Sequence, residues 1–417
     1  MALDGRARSN SANSKSLSSH SFSAAMIAPL TDAGTGAPGS FVAREFDFAP
    51  TGAGVTLFAS AQGLYRVFIN GQRVGEDLLT PGWTCYDDRI AYQEYDVTGL
   101  LRPGRNRIEI WLGDGWYRSR LMWALNPIPN TWGDRIAAMA ELVSDAGVIL
   151  GTDASWTSGL TPVTGNGIYH GEDYDARILP RDTAGVEVLD FDKALLVPHE
   201  ADPVRELAPI APVESWADGA STVFDFGQNC GAYARIAVKG PAGAHVRIEF
   251  SEVLGPKRDF DNRNYRSARA EQHYTLKGEG VESYAPLFTF FGFRYARVTI
   301  TGGAELNGIE MVPVTSVPVV AGGFTCGVPA VNRLVLNTIW SQRSNFIEIP
   351  TDCPQRDERL GWTGDAQVFA GTACWLADSN RFLVKYLRDV RHDQRPDGAV
   401  PHFSPDPTRL HPIDGRG

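Results

Sequence analysis

The sequence predicts a multidomain protein in which two all-β domains, each an antiparallel β-sandwich, precede a helical region. Short alternating segments separated by turns fill residues 40–313, and a helical repeat of apolar residues replaces them from Pro329 onward. Strands and helices therefore occupy separate blocks, which indicates separate domains rather than one α/β sheet. The length of 417 residues and a hydrophobic content of 43% fit two to four globular domains.

Charge and composition exclude several classes of partner. The net charge is −10, which makes the chain a poor partner for nucleic acid or anionic lipid. No apolar run approaches the roughly 18 residues that span a bilayer. The five cysteines show no C-x-x-C spacing and are interpreted as reduced thiols. We therefore expect no nucleic-acid or membrane partner.

The N-terminal residues 1–38 are predicted to be a disordered tail. Residues 1–25 contain eight Ser and no apolar stretch typical of a secretory signal. A cytoplasmic location follows from that pattern. An organellar transit peptide, which is also rich in Ser and Arg, is the alternative.

The first β-sandwich is predicted over residues 39–178. Residues 64–74 alternate around Asn70-Gly71, a pair suited to a type I′ hairpin turn. In residues 107–112 the side chains of Ile108, Ile110 and Leu112 share one face. A linker with one embedded strand is predicted for residues 179–215.

The second β-sandwich is predicted over residues 216–315, and the helical region over 318–417. Residues 245–250 alternate strictly, with Val246, Ile248 and Phe250 on one face. Helices are predicted from Pro329, over residues 365–377, and around Phe382 to Val390. No strand is expected after residue 330, and no helix before about residue 328.

A dense polar cluster between the first two helices is the main candidate site. Residues 352–365 hold four carboxylates, two guanidinium groups and one indole. Sugar sites use this mixture, because carboxylates accept hydrogen bonds from hydroxyls and one acid must donate a proton to the leaving oxygen. The alternative is a solvated, salt-bridged loop in which Asp352 or Thr363 caps a helix and Trp362 belongs to the core.

Other candidates are weaker. The histidines, including His170, His273, His392, His402 and His411, lack the H-x-H or H-E-x-x-H spacing of a metal site. Gly113-Asp114-Gly115 is interpreted as a turn with no helix after it. Four tryptophans of the first sandwich could form a sugar-binding platform, although core or rim packing is favoured: Trp111, Trp116, Trp123 and Trp132.

The cluster closely resembles the signature of the bacterial α-L-rhamnosidases of glycoside hydrolase family 78. Other stretches resemble the same family in the same order, from about residue 40 to the C-terminus. They are LGDGWYRS (112–119), YHGEDYDAR (169–177), FDFGQNCGAYARI (224–236), SEVL (251–254), FTFFGFRYARV (288–298) and PDGAVP (396–401).

The resemblance implies that the helices begin an (α/α)6 barrel and that the reaction is inverting hydrolysis of terminal α-L-rhamnosides. Carried onto this sequence, the general acid is Glu358, and Asp352, Arg356, Trp362 and Asp365 contact the sugar. The implied partners are rhamnose-containing glycosides or oligosaccharides. No cofactor is required, although calcium serves a rhamnose-binding module in some members and no ligand set for it is matched here.

The same resemblance implies a general base far downstream of Glu358. The 417 residues hold only about three of twelve expected barrel helices, so we expect an inactive N-terminal portion of the enzyme. Glu348, Asp378 and Asp397 are available carboxylates, but none matches the position of the base. A non-catalytic carbohydrate-binding β-sandwich protein is the alternative function, and a scaffold without a ligand is a third.

Overall fold

The computed structural model describes residues 20–50, 52–123 and 127–410 of the chain. The fold is mostly β with few helices, as predicted. The strands are β1 Ile27–Pro29, β2 Ser40–Phe48, β3 Val55–Gln62, β4 Leu64–Ile69, β5 Gln72–Arg73, β6 Ile90–Asp96, β7 Gly104–Gly113, β8 Ala137–Ser144, β9 Gly147–Gly151, β10 Thr157–Leu160, β11 Val163–Gly167, β12 Gly171–Asp175, β13 Ala184–Val188, β14 Leu196–Pro198, β15 Arg205–Glu206, β16 Glu214–Asp218, β17 Ser221–Lys239, β18 His245–Ser251, β19 Val253–Leu254, β20 Phe260–Asp261, β21 Glu271–Thr275, β22 Val281–Tyr284, β23 Phe291–Thr301, β24 Glu305–Thr315, β25 Phe346–Ile347 and β26 Ile349–Pro350. The α-helices are α1 Gly115–Arg118, α2 Pro329–Asn345, α3 Thr363–Leu376, α4 Asn380–Asp393 and α5 Pro407–Leu410. No described helix is both long enough and apolar enough to cross a membrane.

The first sheet has twelve strands in the order β14-β6-β3-β8-β1-β13-β10-β2-β7-β4-β5, and β9 pairs with β8. The alternation predicted in β7 is confirmed, because Ile108, Ile110 and Leu112 are all buried. The hairpin between β4 and β5 is also confirmed. Asn70 and Gly71 both have positive φ, 52° and 78°, as a type I′ turn requires.

The predicted limits of the first domain are wrong at both ends. Strand β1 lies within the segment predicted to be a disordered tail, where it pairs with β13 and β8 and buries Ile27. The segment predicted as a linker contains β13, β14 and β15 as well as the start of β16. These strands are too short to show a period in the sequence, and they are held by long-range pairing. Residues 1–19 of the predicted tail lie outside the described residues.

The second sheet has ten strands in the order β11-β12-β21-β18-β23-β17-β24-β15, and β16 and β22 also pair with β17. Val246, Ile248 and Phe250 of β18 are buried, as their alternation predicts. Strands β11 and β12 were expected in the first domain, but β12 pairs in parallel with β21 of this sheet. The chain therefore enters the second sheet at about residue 163.

The three long helices α2, α3 and α4 confirm the helical periods of the sequence. Two details of the expectation are wrong. The two-residue strands β25 and β26 form a hairpin after residue 330, and the four-residue helix α1 precedes residue 328. The apolar residues of α2 are largely exposed: Leu334 is 63% exposed, and of Val331, Leu334, Val335 and Ile339 only Ile339 is buried. Trp375 of α3 is 81% exposed.

A buried ionic network joins α4 to the loop before β6. Arg89 is paired with Asp389, whose side chain is fully buried, at 2.8 Å between Nη2 and Oδ1. The backbone amide of Cys85 donates to the same oxygen at 3.0 Å. Lys385 Nζ donates to the carbonyl of Glu348 at 3.0 Å and to the carbonyl of Trp83. Buried charges need such partners, so the network fixes α4 against the first domain.

A second buried carboxylate, Glu172 of β12, joins β12 to the segment before β23. Its Oε2 accepts hydrogen bonds from the amides of Leu287 and Phe288 at 2.9 and 3.0 Å. Its Oε1 accepts one from the Tyr284 hydroxyl at 3.1 Å. Burial raises the pKa of Glu172 to about 7, although these hydrogen bonds oppose the rise.

Glu172 is expected to make the stability of the protein depend on pH. Its folded pKa lies above the unfolded value of about 4.3. The folded state therefore binds the proton more tightly, and the free energy of unfolding falls as the pH rises from about 4.3 to about 7. Glu172→Gln carries no titrating proton and should remove that loss, which is at most about 4 kcal/mol. Urea denaturation of both proteins across this pH range measures the difference, and identical pH slopes would contradict it.

Candidate active site

The candidate site is built on the loop between β26 and α3. The Asp352 amide donates to the Leu360 carbonyl at 3.0 Å, and the Leu360 amide donates to Asp352 Oδ1 at 3.0 Å. These two bonds close residues 352–360 into a compact loop. The closure brings Asp352, Arg356 and Glu358 of the predicted site together.

Arg359 lies at the centre of this loop and is fully buried. Its Nη1 donates to the carbonyls of Ile168 and Phe290, both at 2.8 Å. Its Nε and Nη2 donate to the carbonyls of Arg356 and Gln355, both at 3.1 Å. Burial lowers the pKa of Arg359 to about 10. The loop is thus attached through one guanidinium to the segments before β12 and β23.

Glu358 is held between two guanidinium groups. Its Oε2 lies 2.9 Å from Arg356 Nη2 and 3.2 Å from Arg266 Nη1. Its backbone carbonyl accepts a hydrogen bond from the Tyr169 hydroxyl. The residue is only 8% exposed. A buried carboxylate with charged partners at hydrogen-bond distance has a fixed orientation.

Asp352 lies beside this pair. Arg356 Nη2 is 3.5 Å from Asp352 Oδ2, so one guanidinium bridges Asp352 and Glu358. Burial raises the pKa of Asp352, and the charge of the neighbouring Glu358 adds to the rise. Hydrogen bonds from Cys353 and Leu360 oppose it. Burial also raises the pKa of the Cys353 thiol, to about 12. The site therefore places the buried carboxyl group of Asp352 next to that of Glu358, with one guanidinium between them.

Trp362 and Asp365 lie at the start of α3. The Trp362 ring packs edge-on against Phe403, with the ring centroids 5.3 Å apart. Asp365 is exposed in the first turn of the helix. In the described part of the chain no hydrogen bond or ion pair joins either residue to Glu358. Asp352 and Asp365 share a cavity of about 560 Å³ whose lining also includes Phe346 and Phe369.

Three residues of the site were missed by sequence reasoning. Tyr169 precedes β12, and Arg266 and Ser267 belong to the loop before β21. Ser267 Oγ donates to Asp357 Oδ2 at 2.5 Å. Tyr169 stands in a stretch that resembles the family, but nothing in its spacing indicates contact with a loop 189 residues away.

The weaker candidates are resolved by their contacts. Contrary to the expectation, a four-residue helix, α1, begins at Gly115 of the Gly113-Asp114-Gly115 segment. Asp114 is paired with Arg118 at 2.6 Å and also accepts from the Gly36 amide, which leaves no phosphate loop. Trp116 is buried, and the other three tryptophans of the proposed platform pack against the core. His411 lies outside the described residues.

A calcium ion does not fit the groups that the structure brings together. Among described residues, Asp352, Cys353 and Glu358 form the one grouping of three metal-binding side chains, with their ligand atoms within 4.8 Å. Calcium takes six to eight oxygen ligands. A thiol with a pKa of about 12 stays protonated, and Arg356 already pairs with both carboxylates.

Fold and site together define a β-rich multidomain protein with a buried carboxylate site between its second sheet and its helices. Three models of bacterial α-L-rhamnosidase domains match in succession: the N-terminal domain over residues 52–208, the concanavalin-like domain over 216–317 and the six-hairpin glycosidase domain over 320–415. The chain belongs to the bacterial α-L-rhamnosidase family.

Curated and solved relatives agree with this assignment. An α-L-rhamnosidase of Streptomyces avermitilis is 40% identical over 84% of this chain and 35% of its own length. One of Formosa agariphila is 33% identical over 88% of this chain and 41% of its own length. The crystal structure of the Aspergillus terreus enzyme superposes with a TM-score of 0.87 at 35% identity, covering 92% of this chain and 47% of that one. The structure of the Streptomyces avermitilis enzyme with L-rhamnose superposes with a TM-score of 0.83 at 36% identity, covering 89% of this chain and 38% of that one. The chain thus spans 35–41% of the length of the curated relatives it matches.

Proposed function

We propose that the chain forms part of an α-L-rhamnosidase, a glycoside hydrolase that removes terminal α-L-rhamnose from rhamnosides with inversion. The general acid is Glu358. The observation that carries the proposal is the nearly buried carboxylate of Glu358, which is fixed beside Arg356 and Asp352. The relatives of the chain are named α-L-rhamnosidases. Hydrolysis of this type proceeds by acid and base catalysis and needs no cofactor.

The remaining predicted residues have roles that suit their positions. Asp352 accepts hydrogen bonds from rhamnose hydroxyls, and Arg356 orients both Asp352 and Glu358. Trp362 covers the apolar side of the sugar, and Asp365 binds a hydroxyl from the first turn of α3. The architecture that accompanies this proposal is two β-sandwich domains followed by the first helices of an (α/α)6 barrel.

The general base is proposed to lie outside the described residues. Inverting glycosidases separate their two carboxyl groups by about 6.5–9.5 Å to admit the attacking water. Asp352 and Glu358 place oxygens within 4.8 Å, which is too close for that role. Glu348 accepts a hydrogen bond from the Trp83 amide, and Asp397 accepts one from the Ala399 amide. These hydrogen bonds hold Glu348 against the first domain and Asp397 in the turn after α4.

The 417-residue chain is therefore expected to give no hydrolysis of a chromogenic α-L-rhamnoside above background. Without a base, the attack of water loses a factor of about 10²–10⁴. The protein used for comparison is a chimera in which the remaining part of the Streptomyces avermitilis relative follows residue 417. The chimera is expected to release the β-anomer of rhamnose, observed by NMR before mutarotation.

Each contrary result has a definite meaning. Release of the α-anomer would contradict inversion. Rhamnose binding without turnover in the chimera would favour the alternative, a non-catalytic carbohydrate-binding protein. Turnover by the 417 residues alone, lost in Glu358→Gln, would show that the base lies within them.

A further inference from the structure

The second sheet contributes a charged group directly to the candidate acid. Arg266 follows a 3-10 turn, Arg263–Tyr265, and has a φ of 59°. Tyr265 anchors the turn by donating to the Gly292 carbonyl at 2.5 Å, and Ser267 holds Asp357 on the other side. The Arg266 side chain is thus fixed at its base, yet it is 42% exposed where it meets Glu358.

A half-buried carboxylate, Glu252, lies near the same place. Asn229 Nδ2 donates to its Oε1 at 2.9 Å, and Asn264 Nδ2 donates to its Oε2 at 3.3 Å. Burial raises the pKa of Glu252, while these two amides and the charge of Arg356 oppose the rise. No cation forms an ion pair with Glu252 among the described residues. Glu252 and both asparagines belong to the second domain, as Arg266 does.

Arg266 reaches Glu358 from the second domain, and Glu252 is joined to the same turn through Asn264. The cavity shared by Asp352 and Asp365 is lined only by residues between 341 and 369, and none of them belongs to the second sheet. A general acid protonates the oxygen that joins the sugar to its leaving group, so the leaving group must also pass beside the acid. Arg266 and Glu252, with Asn229 and Asn264, are polar groups of the second domain in this region.

We propose that Arg266 and Glu252, supported by Asn229 and Asn264, form the subsite for the leaving group and favour a hydroxylated one, such as a second sugar. This inference rests on the proposed function. Arg266 and the asparagine amides donate hydrogen bonds and Glu252 accepts them, which matches the alternating hydroxyls of a sugar. Arg266 acts here as a specificity residue, and its contact with Glu358 places it at the bond to be cleaved.

Equilibrium binding to the intact 417-residue chain tests the subsite without any need for turnover. The two probes are methyl α-L-rhamnoside and a sulfur-linked rhamnosyl-glucose, which resists hydrolysis. The wild-type protein is expected to bind the disaccharide about tenfold more tightly or better. Arg266→Ala should weaken disaccharide binding by about 10- to 100-fold, the range for a hydrogen bond from a charged group, and leave the methyl rhamnoside unchanged. The disaccharide affinity of Arg266→Lys, which keeps the charge, should lie between those of the wild type and Arg266→Ala.

Arg263→Ala is the matched control, because Arg263 lies in the same turn, is 87% exposed and pairs with Asp261. Its affinities should equal those of the wild type. Glu252→Gln should weaken only the disaccharide. Equal affinity of the wild type for both probes, or equal losses for both probes in Arg266→Ala, would overturn the subsite and leave the proposed function standing. Failure of the methyl rhamnoside to bind, or its unchanged binding to Trp362→Ala, would instead contradict the proposed function.

Discussion

Glu358→Gln is expected to lower the rate of rhamnoside hydrolysis by about 10²–10⁴-fold in the chimera with the remaining part of the Streptomyces avermitilis relative. Gln keeps the size of the side chain and can still accept a hydrogen bond from Arg356, but it has no proton to donate. The loss should shrink for aryl rhamnosides with acidic leaving groups, since these depart without protonation. Rhamnose affinity should change little, because Asp352, Trp362 and Asp365 remain.

The measurement is kcat/KM for an aryl rhamnoside and for a rhamnosyl disaccharide in both proteins. Glu214→Gln provides the control, because Glu214 is an exposed carboxylate of β16 paired with Arg258. It should retain wild-type rates on both substrates. If Glu358→Gln hydrolyses the disaccharide at the wild-type rate, Glu358 is not the acid.

Arg359→Leu is expected to cost about 3–5 kcal/mol in the free energy of unfolding, because it removes several hydrogen bonds from a buried charged group at about 1.5–3 kcal/mol each, less the desolvation of that charge. The substitution removes four hydrogen bonds, to the carbonyls of Ile168, Phe290, Gln355 and Arg356. The Ile168 carbonyl keeps the Thr289 hydroxyl as a donor, and the Arg356 carbonyl keeps the Glu358 amide. A carbonyl that loses its last donor, such as that of Gln355, carries a desolvation penalty of about 1–3 kcal/mol. Water that enters the space recovers part of that penalty.

Urea denaturation of the 417-residue chain, followed by tryptophan fluorescence, measures the effect. Arg395→Leu is the comparison, because Arg395 is 64% exposed and pairs with an exposed Asp397. It should change the unfolding free energy by less than about 0.5 kcal/mol. Similar midpoints for the two variants would show that Arg359 does not hold the loop.

Much of the fold could be predicted because strand and helix periods are local. The alternation at Ile108, Ile110 and Leu112 and the Asn70-Gly71 turn each depend on neighbouring residues. The pairing of β12 with β21 does not, since alternation reveals which side chains share a face but not which strand lies alongside. Strand β1 has three residues, too few to establish any period, so its place in the sheet could only come from the structure.

The candidate site was likewise predictable only where its residues lie close together in the sequence. Asp352, Arg356 and Glu358 are close in the sequence, and their clustering was visible there. Arg266 and Tyr169 reach Glu358 from 92 and 189 residues away, through a turn with left-handed backbone and through the start of β12. The burial that raises the pKa of Asp352 is likewise a property of the packed domains. Residue types predicted the chemistry, but not which second-domain groups complete it.

The buried pair between Arg89 and Asp389 has a consequence for synthesis on the ribosome. The two residues are 300 positions apart. At translation rates of about 5–20 residues per second, Arg89 emerges some 15–60 s before its partner. Throughout that interval the loop before β6 holds a cation whose final environment does not yet exist. The first domain must therefore remain hydrated at this edge during elongation, and it reaches its native packing only after α4 has left the exit tunnel.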